Sequence, residues 1–230
     1  GAVTMARGSF DPGAAQTKEV GVKNYTFSSI KVTAGSAEKV FLPFIRWNQS
    51  GSAGSGDLAN LKTIVDGTEY NVVVSSDGKY FTVAFPENSG KGLLVEKGFS
   101  KDISIKGDIV GGSARTTAFD IAKRTDVGVN GDTFKFGITP PQTNTCSGST
   151  GTACFTSGED PWYDGAVVTI SAGTMTVSTS NAVPAQNVAI NVSNQPLAAF
   201  TVDVKGEEIS VAKLAFNVTL GSEDSASDIN

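Results

Sequence analysis

The opening run GAVTMARGSFDPGAAQ, from Gly1, is echoed by GTMTVSTSNAVPAQN, from Gly173, close to the last residue, Asn230. At one constant offset Gly1, Thr4, Pro12 and Val20 fall on Gly173, Thr176, Pro184 and Val192. After a short slip, Asn24, Phe27, Ile30, Val32 and Ala34 meet Asn194, Leu197, Phe200, Val202 and Val204. After another, Val40, Leu42, Ile45 and Trp47 meet Ile209, Val211, Leu214 and Phe216. Two unrelated alternating segments are the plain alternative. The shared G-x-x-T opening, the proline in register and the common order of features favour repetition, the mark of modular arrays. The expectation is one complete module over residues 1–172 and the first part of a second over 173–230. A neighbour, or residues beyond the chain, would complete the second.

Period-two alternation defines what each module is made of. Residues 26–34 (TFSSIKVTA) and 39–47 (KVFLPFIRW) read as strands joined in a hairpin through GSAE. LKTIV leads to Asp66-Gly67, and Asp77-Gly78 divides two alternating runs, the strongest hairpin signal in the chain. Glycine at 26 residues and many Ser, Thr and Val suit short strands separated by turns. Helical periodicity is absent apart from a weak signal at residues 118–123. The prediction is therefore an all-β, antiparallel β-sandwich. The segment 139–165 lacks alternation and is rich in Pro and Gly, so an ordered excursion is expected there. Cys146 and Cys154 bracket SGSTGTA inside it. A disulfide is expected over two free thiols, and would place the protein outside a reducing cytosol.

The GTMTVS opening, the P-A-x-N turn at Pro184 and the run LAAFTVDVKGEEISVAKLAFNV at residues 197–218 resemble the tandem immunoglobulin-like repeats of prokaryotic cell-surface proteins of the S-layer and adhesin type. The resemblance is best over 173–218 and weaker over 1–47, and it has no counterpart for the cysteine loop. It implies an immunoglobulin-like sandwich with a structural or adhesive role.

Composition narrows the chemistry. With no histidine, the Ser-His-Asp and Cys-His arrangements and the commonest metal ligand are excluded. A net charge of −5 argues against nucleic acid and anionic membrane as partners. No stretch approaches the roughly 20 apolar residues of a membrane span. The sharpest ligand candidate is the loop holding Glu159, Asp160, Trp162, Tyr163 and Asp164. Its rings are suited to stack on sugars and its acids to bind hydroxyls or calcium; the plain alternative is an anchored loop with solvated acids. Paired-carboxylate hydrolysis is formally open to the same acids but ranks last. Calcium is the one cofactor considered, with turn acids Asp57, Asp66, Asp77, Glu207, Glu208, Glu223 and Asp224 as further candidates; none forms an EF-hand pattern. Sequons mark Asn24, Asn48, Asn191 and Asn217 as glycosylation candidates. Lys31 and Lys213 are conceivable donors for an intramolecular isopeptide bond, but alternation turns both toward solvent.

Three strand-like runs between residues 197 and 218 carry an apolar face formed by Phe200, Val202, Val211, Leu214 and Phe216. So small a sheet is marginal in water, and something must cover it. The leading expectation is an extracellular structural protein, the repeat unit of a surface layer or filament, that assembles with copies of itself or adjacent modules through β-strand edges. The alternative is a carbohydrate-binding adhesin module built on Trp162 and Tyr163.

Overall fold

The computed structural model describes residues 1–146, 151–158, 160–187, 189, 192–206 and 208–217. Along the chain the strands are β1 (Val3–Arg7), β2 (Gln16–Glu19), β3 (Tyr25–Ala34), β4 (Val40–Leu42), β5 (Phe44–Gly51) and β6 (Leu58–Val65). Next come β7 (Thr68–Asn71), β8 (Val73–Val74), β9 (Tyr80–Ala84), β10 (Leu93–Val95), β11 (Ser100–Ile109) and β12 (Thr116–Asp120). Then follow β13 (Asn130–Gly131), β14 (Cys154–Phe155), β15 (Tyr163–Asp164), β16 (Val168–Ser171), β17 (Thr174–Thr179) and β18 (Phe200–Lys205).

The two main sheets have the orders β1-β3-β11-β6-β7 and β2-β16-β12-β5-β9-β8; β10-β4-β13 form a third, and β14-β15 and β17-β18 are two-stranded. Among the described strands the pairing is antiparallel except between β2 and β16. The protein is an all-β antiparallel sandwich, as the alternation predicts. β1, β3, β11 and β6 occupy the places of strands A, B, E and D of an immunoglobulin-type sandwich, and β16, β12, β5 and β9 those of G, F, C and C′. The chain nevertheless visits β6 before β9, crossing between sheets along the Gly- and Ser-rich residues 51–56.

The two inner faces meet in one core. Phe27 of β3 lies 5.1 Å from Phe119 of β12, ring centre to ring centre, and Phe119 lies 5.4 Å from Phe81 of β9. Trp47, fully buried on β5, donates its indole N–H across the sandwich to Thr63 Oγ1 of β6 at 3.1 Å. That bond satisfies two polar groups which burial would otherwise leave unpaired.

Local readings diverge from the structure in three places. The run 39–47 is not one strand: Pro43, which has no N–H for a ladder, separates β4 from β5, and the two join different sheets. β3 and β5 are not a hairpin, because β1 and β11 take both edges of β3. Residues 118–120, the first half of the weak helical signal, are strand instead, because β5 supplies the ladder that local propensity does not foresee. The Asp-Gly signals do mark hairpins. Asp66 and Gly67, both at positive φ, close β6 onto β7 as a two-residue turn of type I′.

The pairing of β17 with β18 reproduces that of β1 with β3. In the first hairpin Val3 faces Ala34, Met5 faces Val32 and Arg7 faces Ile30. At the positions the sequence repeat aligns with these, Met175 faces Val204, Val177 faces Val202 and Thr179 faces Phe200. What surrounds the two hairpins differs. β3 has β11 on its far edge and the opposite sheet over its face, whereas among the described residues β18 pairs with β17 alone.

The second hairpin adjoins the body at a close backbone approach. Gly206, at φ +94°, leaves so little room that a Cβ there would lie 2.7 Å from the Val20 carbonyl oxygen and 2.7 Å from Gly173 Cα. Only glycine fits both the backbone conformation and the space. Gly206→Ala is therefore expected to loosen the hairpin while sparing the sandwich. In limited proteolysis, cleavage next to Gly173 should accelerate several-fold, with the thermal unfolding midpoint of the body unchanged.

Candidate functional site

The excursion over 139–165 is held from within. Cys146 and Cys154 form a disulfide with their Cα atoms 5.1 Å apart. Phe155, next to Cys154, packs against Trp162 at 4.9 Å and Tyr163 at 4.7 Å between ring centres. The Tyr163 hydroxyl donates to Asp11 Oδ2 at 2.7 Å, and the same oxygen accepts the Ser29 N–H at 2.8 Å. The phenol is thereby tied to the β1–β2 connection and to β3. Burial, with the Asp11 charge beside it, pushes its pKa well above the usual value.

Trp162 and Tyr163 are both fully buried. The sugar-stacking platform expected of them is not available, because their ring faces are spent on Phe155 and the core. They pin the excursion onto the sandwich. Glu159 lies outside the described residues. Asp160 precedes a cis peptide bond to Pro161, and its N–H donates to the Ala122 carbonyl at 2.8 Å. Asp164 is half-buried in β15, and burial raises its pKa.

A carboxyl that sequence reasoning missed lies beneath this loop. Asp120, at the end of β12, is buried and accepts the Gly165 N–H at 2.8 Å. Burial, reinforced by the charges of Asp164 and Asp160 and opposed by the Ser50 hydroxyl and the Gly165 N–H, pushes its pKa up to about 6. Its signal in sequence was slight: one acid ending an apolar run, AFDIA.

The other candidate acids are engaged locally. Asp57 accepts the Gly54 N–H at 2.7 Å and pairs with Arg115 at 2.7 Å, and these two bonds hold its pKa below the usual carboxylate range. Asp66 pairs with Lys101, and Asp77 accepts from the Ser75 hydroxyl and the Lys79 N–H. Glu208 is exposed; Glu207, Glu223 and Asp224 lie outside the described residues. Among the described residues no three acidic, cysteine or histidine side chains converge as a cation site would require. Of the sequon residues, Asn24 is exposed in the turn before β3 and Asn217 is exposed. Asn48 is half-buried in β5 between β12 and β9, and Asn191 lies outside the described residues. Lys31 is partly exposed, 3.9 Å from Asp102, and Lys213 is exposed.

The surface that stands out is the second hairpin. On the first hairpin Val3 and Met5 are 4% and 6% exposed; their counterparts Met175 and Val177 are 47% and 56% exposed. Ile30 and Val32 are fully buried, whereas Phe200 and Val202 are 48% and 41% exposed. Residues opposite one another in the ladder share a face, so Met175, Val177, Phe200, Val202 and Val204 form one apolar surface. The outward set, Thr174, Thr176, Ser178, Thr201, Asp203 and Lys205, is polar. Val211, Leu214 and Phe216 are exposed and lie in no strand, so of the three expected runs β18 alone is a strand. Phe216 does lie on the apolar face, stacked 5.6 Å from Phe200.

No protein-family model and no curated protein matches the chain. Among solved structures it is similar to the pilus backbone protein RrgB of Streptococcus pneumoniae, with 12% identity and a TM-score of 0.28, over 56% of this chain and 51% of that one. It is also similar to the full-length major pilin RrgB from the same organism, with 10% identity and a TM-score of 0.26, over 78% of this chain and 39% of that one. The chain thus matches about half or less of the length of these proteins. At such scores neither likeness bears on what this chain does.

Two stability measurements follow from the excursion. Reducing the disulfide opens a link between residues eight apart in sequence, for which chain entropy gives about 2–3 kcal/mol; urea unfolding with and without reductant should differ by that amount. Asp120 has a folded pKa above its unfolded value, so its favourable contribution is complete below about pH 4 and is lost as pH rises through about 6. Asp120→Asn, which keeps an acceptor for Gly165, should therefore gain on the parent protein between pH 4 and 7, by up to about 3 kcal/mol. A constant difference across that window would remove Asp120 as the cause.

Proposed function

We propose that this chain is a structural subunit of a cell-surface filament or layer, a module of an array that assembles by covering the apolar face of its second hairpin. The observation that carries this reading is the coincidence of register with contrast in burial. β17–β18 repeats β1–β3 pair for pair, and the face that is sealed in the first unit lies open in the second. Residues 1–172 form the complete unit, and residues from 173 onward begin another.

Apolar burial stabilises by about 25 cal/mol per Å². A contiguous open face of this kind marks an interaction surface rather than ordinary exposure. Two strands cannot seal it alone. The Cys146–Cys154 disulfide suits an oxidising, extracellular setting. The chain's chemistry points the same way, because without histidine and with its two loop aromatics buried it offers structure rather than catalysis or glycan stacking.

Light scattering over a hundredfold range of concentration, with electron microscopy of the most concentrated sample, tests the reading. Mass should rise with concentration and end in elongated or layered particles. Val202→Asp, which places a charge on the apolar face, should shift that rise to at least tenfold higher concentration. A strictly monomeric protein throughout would overturn the proposed role.

A further inference from the structure

Beside its apolar face the second hairpin carries a hollow of about 390 Å³. Thr179, Val183 and Pro184 line it from the end of β17 and the loop after it, and Leu197, Ala198 and Ala199 from the approach to β18. The repeat gives each of these a counterpart in the body: Arg7, Asp11 and Pro12, then Phe27, Ser28 and Ser29. The backbone of the two places is the same. The Gly8 N–H donates to the Ser29 carbonyl at 2.8 Å, and the N–H of its counterpart Ser180 donates to the Ala199 carbonyl at 2.9 Å. Asn24 and Asn194, which precede the second strand of each hairpin, both take positive φ, 53° and 58°.

In the body this place is occupied. The excursion over 139–165 lays Tyr163 there: its hydroxyl donates to Asp11 Oδ2 at 2.7 Å and to the Ser29 carbonyl at 3.2 Å, while the Ala153 N–H donates to the Gly13 carbonyl at 3.1 Å. We infer that the hollow is the same seat, open among the described residues, and that it takes a phenylalanine-type side chain carried by the segment that completes the second unit. This inference deepens the reading above, in which residues from 173 onward begin another unit, and rests on it. By the repeat's own offset the counterpart of Tyr163 falls past Asn230, so the ring comes from outside these residues. Trp162 and Tyr163 cannot serve, being fully buried in the body. The lining selects against a hydroxyl. Where Asp11 accepts from the phenol in the body stands Val183, and Ser28 and Ser29 give way to Ala198 and Ala199. The Ala199 carbonyl already accepts the Ser180 N–H and matches only the longer of the two tyrosine bonds. A phenol seated here would bury its O–H against valine and alanine, which costs affinity; a phenyl ring carries no such penalty.

The probe is a fluorescent peptide of residues 151–165 carrying Cys154→Ser, made once with Tyr163 kept and once with Tyr163→Phe. Fluorescence anisotropy against the full chain should show saturable binding, with the phenylalanine form roughly fivefold tighter. Val183→Asp returns the missing acceptor and should reverse that order. Ala198→Trp, at an exposed lining position, should fill the hollow and abolish binding of both forms. Near-ultraviolet signals from buried Trp47 and Trp162 report an intact body in each variant, and an unchanged Ser180 amide resonance an intact hairpin. If neither peptide binds at millimolar concentration, or if Val183→Asp leaves the order as it was, the seat is wrong. Concentration-dependent assembly is read separately on the parent chain: assembly without peptide binding keeps the filament role and removes the seat, and peptide binding without assembly does the reverse.

Discussion

Phe27 and Phe119 meet across the sandwich at 5.1 Å, and the closed apolar contact they centre is what the rest of the molecule depends on. A sheet whose strands alternate has one face that water disfavours, and the body answers this by laying a second alternating sheet over it. Trp47 reinforces the contact by donating to Thr63 on the facing sheet, so the polar atom of this buried indole is used to join the layers. Sealed in this way, the first hairpin loses its exposed apolar surface entirely. The second, built to the same register, leaves its apolar side chains between 41% and 56% exposed.

That contrast organises the functional reading. A hairpin with no opposing sheet among the described residues is not a site in the usual sense: beside the hollow between Thr179 and Phe200 it offers an apolar face, and no cluster of three acidic, cysteine or histidine side chains is found among the described residues. The acids and aromatics of the cysteine loop, which sequence alone makes the more tempting site, turn out to be structural: Trp162 and Tyr163 face inward, and Asp120 beneath them is a carboxyl that burial keeps close to its neutral form at mildly acidic pH. The loop thus stiffens the body, while the tail leaves its apolar side chains partly exposed.

Much of the fold was legible because alternation and turn chemistry are local. Residues 26–34, the Asp66-Gly67 turn and the repeat at Gly173 could each be read without knowing what lay beside them. The partners of β3 could not. Whether β3 turns back onto β5 or pairs with β1 and β11 depends on contacts between segments far apart in the chain, as when Ser100 of β11 meets Thr33, and Pro43 was the one sequence hint that the run 39–47 breaks. The exposed phenylalanines were also missed. The T-F-K-F run at residues 133–136 alternates like a strand, and only its position outside the sheets leaves both rings in water.

The sequence by itself determined the class of structure, the cysteine pairing as an expectation, and the presence of a second beginning, since period, spacing and self-similarity are properties of the chain alone. The offsets aligning Val3 with Met175 and Ala34 with Val204 carry the register of the first hairpin over to the second once the structure has shown that Val3 pairs with Ala34. Tertiary structure decided which faces are covered. Burial is a relation between segments, so the same alternating pattern became core at Val32 and open surface at Val202, according to whether an opposing sheet was present to meet it.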